Sequence, residues 1–124
     1  MHSVEKKIIL AYQFCYRLCA NPQIAEKITA RVIMEKCGDD NLSLLRKMWQ
    51  EFLNYYGFLQ FYAENDVQKV LLLLPPELRC GVILRDIFKY NYHDIAVVLA
   101  ISPKEAQYIV AQGRTKIRIH ANNG

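Results

Sequence analysis

Apolar residues recur at three- and four-residue steps along nearly the whole chain, and no segment alternates apolar with polar residues between turn signals. That periodicity predicts an all-α protein. Val4, Ile8, Ala11, Tyr12, Cys15, Leu18 and Cys19 form one stripe over residues 4 to 20, with Ser3 as the expected N-cap. Asn21 and Pro22 end that helix and start another, because a polar cap followed by proline at the first helical position suits a helix entry. Ala25, Ile28, Val32 and Ile33 carry the second stripe until Gly38. A third runs through Leu42, Leu45, Met48, Trp49, Phe52, Tyr55 and Tyr56 to Gly57, and the aromatic stretch to Tyr62 reads as its helical continuation.

Glu64, Asn65 and Asp66 are the most polar stretch in the middle of the chain and place a boundary there. Two small helical modules are expected, residues 1–64 and 65–124. In the second, Asn65 and Gln68 resemble a capping pair opening a helix over Val67 to Leu74. Pro75 and Pro76 break that helix and restart another carrying Leu78, Val82, Ile83, Ile87 and Phe88. Asn91 stands three before Asp94, and Ser102 stands three before Glu105 with Pro103 between. Both patterns start helices.

The chain has 124 residues, 52% of them hydrophobic, enough to bury a core. The apolar run Val70 to Pro76 is far shorter than the roughly 20 residues that span a bilayer, and the N-terminus lacks the pattern of a signal peptide. A cytoplasmic protein without a membrane segment is expected. Cys15, Cys19, Cys37 and Cys80 lie in apolar patterns without the spacing of a disulfide framework or zinc clip. The net charge of +4 is unevenly placed: residues 1–66 hold eight Lys/Arg against eight Asp/Glu, residues 67–124 eight against four. Arg114, Lys116 and Arg118 cluster near the end of the last helical pattern, as they would either to meet a polyanion or to complement a helix C-terminus.

The segment Tyr92 to Leu99, the turn Ala100 to Ser102 and the helix bearing Ala106, Val110, Gly113 and Ile117 have the spacing of a helix-turn-helix, with small residues where the helices cross. A helical hairpin serving only as core has the same spacing.

Leu74-Pro75-Pro76-Glu77-Leu78-Arg79, Tyr92-His93-Asp94-Ile95-Ala96 with Leu99, Ile101-Ser102 and the basic end Arg114-Thr115-Lys116-Ile117-Arg118 together resemble the fourth conserved region of extracytoplasmic-function sigma factors of bacterial RNA polymerase. LuxR-type regulators share the later half, and the LPPELR stretch favours the sigma reading. The resemblance implies a regulator that binds double-stranded promoter DNA through a C-terminal helix-turn-helix and acts with RNA polymerase. On that frame the outward candidates for DNA contact are Lys104, Gln107, Tyr108, Arg114, Lys116 and Arg118, with His93 either on a phosphate or solvated; Gln107 suits an adenine edge and the cations suit phosphates. The positions the family usually fills with small or basic readers hold Glu105, Tyr108 and Ile109 here, and Glu105 reads better as a cap.

Upstream, YRLCANPQIAEKITARVIME is similar to the family's second region, whose helix contacts the polymerase core. Lys27, Ala30 and Arg31 stand where Asp, Gln and Glu are usual, and the stretch onward to Tyr62 is short for a promoter-melting segment. The alternative implied is a sigma mimic or co-sigma module that engages an anti-sigma factor, another sigma subunit or the polymerase core without DNA. Its partner-binding candidates are Lys27, Arg31, Tyr55, Tyr56 and Phe58. The aromatics Tyr55, Tyr56, Phe58, Phe61 and Tyr62 suit either packing between modules or stacking on bases. Cys15 and Cys19 read as core thiols, and Arg79 as a tie for the helix after the two prolines or a phosphate contact. No catalytic constellation, metal site or cofactor motif is present, so no enzyme activity is expected.

Overall fold

A computed structural model describes residues 2–35, 40–57 and 65–123. Among them are seven α-helices and no strand: α1 (His2–Cys19), α2 (Pro22–Met34), α3 (Asn41–Tyr56), α4 (Asp66–Leu72), α5 (Pro76–Val82), α6 (Tyr92–Leu99) and α7 (Pro103–Asn123), with a π-helical stretch, Ile83–Ile87, continuing α5. None of these helices is long and apolar enough to cross a membrane. Cys37, Gly38, Phe58, Phe61 and Tyr62 lie outside the described residues.

Helix starts follow local chemistry. Side chains of Asn21, Asp40, Asn65 and Asn91 accept from the backbone N–H three residues on, at 2.7 to 3.0 Å. Ser102 and Glu105 bond each other's backbone N–H, a capping box, at 3.1 and 3.2 Å. Each such cap is worth about 1 kcal/mol, by satisfying a donor that a helix start leaves open. The bounds of α1 and α4 differ from the sequence expectation. α1 already includes Ser3, and α4 stops at Leu72 rather than Leu74, because the chain must turn before Pro75, whose ring restricts the residue preceding it.

The buried side chains form one cluster drawn from both halves. Phe14, Leu18, Ile28, Leu45, Met48 and Phe52 come from α1 to α3; Leu74, Ile83, Leu84, Ile95 and Val110 come from the later segments. α3 lies against α6, and α1 against α2, α3 and α4. Phe14 meets Phe88 edge to face, with ring centroids 6.3 Å apart. Cys15, Cys19 and Cys80 are free, buried thiols, and no group of metal-ligating side chains occurs among the described residues. A hydrogen bond to Cys19 and burial both hold the Cys15 thiol protonated.

A polar clasp joins the same halves. Arg79, 1% exposed, donates to the carbonyls of Leu18 (2.7 Å), Leu71 (2.9 Å), Leu74 (2.9 Å) and Leu72 (3.3 Å). Helix C-termini leave carbonyls without partners, and the guanidinium serves two such ends at once. Desolvation lowers the Arg79 pKa, but an ordinary value so high leaves the group charged. Gln68, fully buried, donates to the carbonyls of Tyr16 and Arg17 and accepts from the Arg17 guanidinium. Arg79 is therefore a structural tie.

Candidate nucleic-acid interface

The turn between α6 and α7 is set by Ala100, in left-handed conformation at φ 57 and ψ 49. Ile101 N–H reaches the Ala96 carbonyl (3.0 Å) and Ala100 N–H that of Val97 (3.3 Å), closing α6 with the crossed bonds of a Schellman motif. Glycine usually takes this position, since a Cβ costs roughly 1–2 kcal/mol in left-handed backbone. α7 then crosses α5 at close quarters. A Cβ on Gly113 would lie 2.5 Å from Val82 Cγ2 and 3.2 Å from the Leu78 carbonyl oxygen, and one on Gly81 would lie 2.8 Å from Ile109 Cγ2. Ala106 and Val110 are fully buried beside this crossing. Ile109, which the sequence resemblance put among the reading positions, lies against Gly81 of α5.

The opposite side of α7 is open. Lys104, Gln107, Tyr108, Arg114, Lys116 and Arg118 are all exposed, Tyr108 by 65%. Lys104, Gln107, Ala111, Arg114 and Arg118 follow one another at alternating three- and four-residue steps and so share a face. His93 is exposed on the first turn of α6. Lys104, Lys116 and Arg118 form no salt bridge among the described residues, whereas Arg114 does. Its Nη2 and Nε meet Asp86 Oδ1 and Oδ2 at 2.6 and 3.1 Å, a two-point pair that raises the Arg114 pKa and holds the Asp86 carboxyl below its ordinary range. Arg118 Nη2 donates to Thr115 Oγ1 at 3.3 Å. Asp86 was not singled out in the sequence, for it stands 28 positions before its partner with no local motif to mark it.

The first-half candidates form a second cluster. Arg31 lies 3.6 Å from Glu35 and 3.7 Å from Glu51, and Lys47 lies 3.3 Å from Glu35 and 3.7 Å from Glu51. Lys27 Nζ stands 5.8 Å from the Tyr55 ring centroid. Lys27 and Arg31 on α2 are thus answered within the chain by Tyr55 and Glu51 of α3. Tyr56 is half-buried and lies under the Arg79 guanidinium, 5.8 Å from ring centroid to carbon. Phe58 lies outside the described residues. On the other side of α2, an open groove of about 530 Å³ runs between α1 and α2, lined by Ile8, Ile9, Tyr12, Ile33 and Met34. Met34 is 82% exposed, and beside it the buried Thr29 hydroxyl has no hydrogen-bond partner among the described residues.

No family model matches the chain, and no curated protein matches it in sequence. Among solved structures the fold is similar to that of the sigma factor RpoE from Bartonella quintana, crystallised with the anti-sigma factor NepR. The two are 15% identical, with a TM-score of 0.79 over 94% of this chain and 92% of that one.

Proposed function

We propose that this chain is a small sigma-like transcription regulator acting with RNA polymerase in the bacterial cytoplasm. Residues 65–124 contact double-stranded promoter DNA through α6 and α7, and residues 1–64 dock on protein. The observation that carries this reading is the arrangement of α7, whose buried side is built of Ala106, Val110 and Gly113 while Lys104, Gln107, Tyr108, Lys116 and Arg118 stand open on the rest. Such a helix, held rigidly at a close crossing and charged on its free face, suits a major groove. Phosphate contacts by the cations would position it, and Gln107 would read a base edge. Fold similarity to a sigma factor along nearly the whole chain supports the same reading.

A second reading has its own support. Arg114 is engaged by Asp86, Lys27 and Arg31 are engaged by α3, and Ile8, Ile9 and Met34 leave an apolar surface open to water. A sigma mimic that binds an anti-sigma factor or the polymerase core without DNA would keep this frame and these surfaces. The similar solved sigma factor has an anti-sigma partner.

A mobility-shift titration of the purified protein with promoter-length duplex at low salt, beside a binding assay with purified core polymerase, separates the two. Duplex binding that weakens on Gln107→Ala supports the first reading. Polymerase binding with no duplex shift supports the second.

A further inference from the structure

The Asp86–Arg114 pair carries an inference that deepens the DNA-contact reading and rests on it. Asp86 belongs to the π-helical stretch Ile83–Ile87. Asp86 stands four and eight residues after Val82 and Leu78, which meet Gly113 of α7, and it emerges on that same side. Its neighbour Arg85 is committed elsewhere, with Nη1 donating to the Tyr90 carbonyl at 3.0 Å and its guanidinium 4.6 Å from the Tyr92 ring centroid. The carboxylate that meets α7 is therefore that of Asp86, and it takes both arms of the Arg114 fork.

A guanidinium offers carboxylate and phosphate the same two-pronged geometry. Arg114 shares its helix face with Lys104, Gln107 and Arg118, where a duplex backbone would run. Between the π stretch and α7 lies a recess of about 520 Å³ lined by Asp86, Arg114, Thr115 and Arg118. Its donors are those an anion needs, and one internal anion is already there. We propose that Asp86 is a built-in competitor for the DNA phosphate that Arg114 would otherwise hold. It restrains duplex affinity both by occupying the fork and by repelling an approaching phosphate.

The pair is exposed, 46% for the arginine side chain and 38% for the aspartate, so exchange with a ligand needs no unfolding. The same exposure predicts that Asp86→Asn and Asp86→Ser both fold, since surface ion pairs add little to stability.

The test is a fluorescence-anisotropy titration of a labelled duplex across a salt series. Asp86→Asn and Asp86→Ser are expected to bind on the order of tenfold more tightly than wild type at low salt, with a log–log salt slope steeper by about 0.9, the signature of one added phosphate contact. Adding Arg114→Gln to Asp86→Asn should abolish both gains. A wild-type protein that binds duplex while the Asp86 variants bind no more tightly overturns the inference and leaves the DNA reading standing. An absence of duplex binding in wild type and variants alike overturns both.

Discussion

Arg79 donates to the Leu18 carbonyl at 2.7 Å across 61 positions of sequence, and the same guanidinium closes the end of α4. One buried cation thus fixes the end of α1 against the start of the later helices. Replacing it with Met would leave several carbonyls buried and unpaired. Arg79→Met should cost about 2–4 kcal/mol in urea unfolding, and Arg79→Lys nearly as much, because an ammonium cannot reach the same set of acceptors. A Met variant as stable as wild type would refute the clasp.

Gly113 and Gly57 make a matched pair of glycines. A Cβ on Gly113 meets Val82 and the Leu78 carbonyl, whereas one on Gly57, at φ −67, meets nothing within 4 Å among the described residues. Gly113→Ala should destabilise by about 1–3 kcal/mol through forced separation of α5 and α7. Gly57→Ala should be neutral or stabilise by up to about 1 kcal/mol. Thermal melts of the two variants, run side by side, check the contrast.

The helices and most of their starts were legible in the sequence because caps and apolar spacing are local. Asn21-Pro22, Asn65 with Gln68, Asn91 with Asp94, and Ser102 with Glu105 each state their role within four residues. The buried stripe of α7 was legible for the same reason. What could not be read was the long-range polar pairing. Asp86 on Arg114, Glu51 against Arg31 and the four carbonyls around Arg79 depend on how helices cross, which no short window encodes. The π stretch escaped as well, since its residues Ile83 to Ile87 have an ordinary helical composition.

Acid should weaken the protein through Asp86 and Asp40. Arg114 lowers the pKa of the first, and hydrogen bonds from Ser43 lower that of the second. A carboxyl whose folded value is depressed stabilises the fold above its ordinary range, and this contribution is lost as pH falls through the folded value. Between about pH 5 and pH 2, Asp86→Asn and Asp40→Asn should each show a flatter decline in melting temperature than wild type. Parallel curves would contradict the assigned pairings.

The two sides of α7 should separate stability from binding. Val110 is fully buried, so Val110→Ala should cost about 1–3 kcal/mol; Ile117, only partly buried, should cost less. Gln107→Ala and Tyr108→Ala, on open positions, should leave stability within about 0.5 kcal/mol. In duplex binding the order reverses, with Gln107→Ala relaxing sequence preference at one base pair and Tyr108→Ala weakening all sequences alike.

The salt dependence of duplex binding tests the central claim most directly. With Arg114 held by Asp86, Lys104, Lys116 and Arg118, which form no salt bridge among the described residues, should give a log–log slope of roughly 3, and their triple Ala variant should lose most of both affinity and slope on every sequence. A triple variant that binds duplex as tightly as wild type at matched salt would contradict the assignment of α7 to DNA.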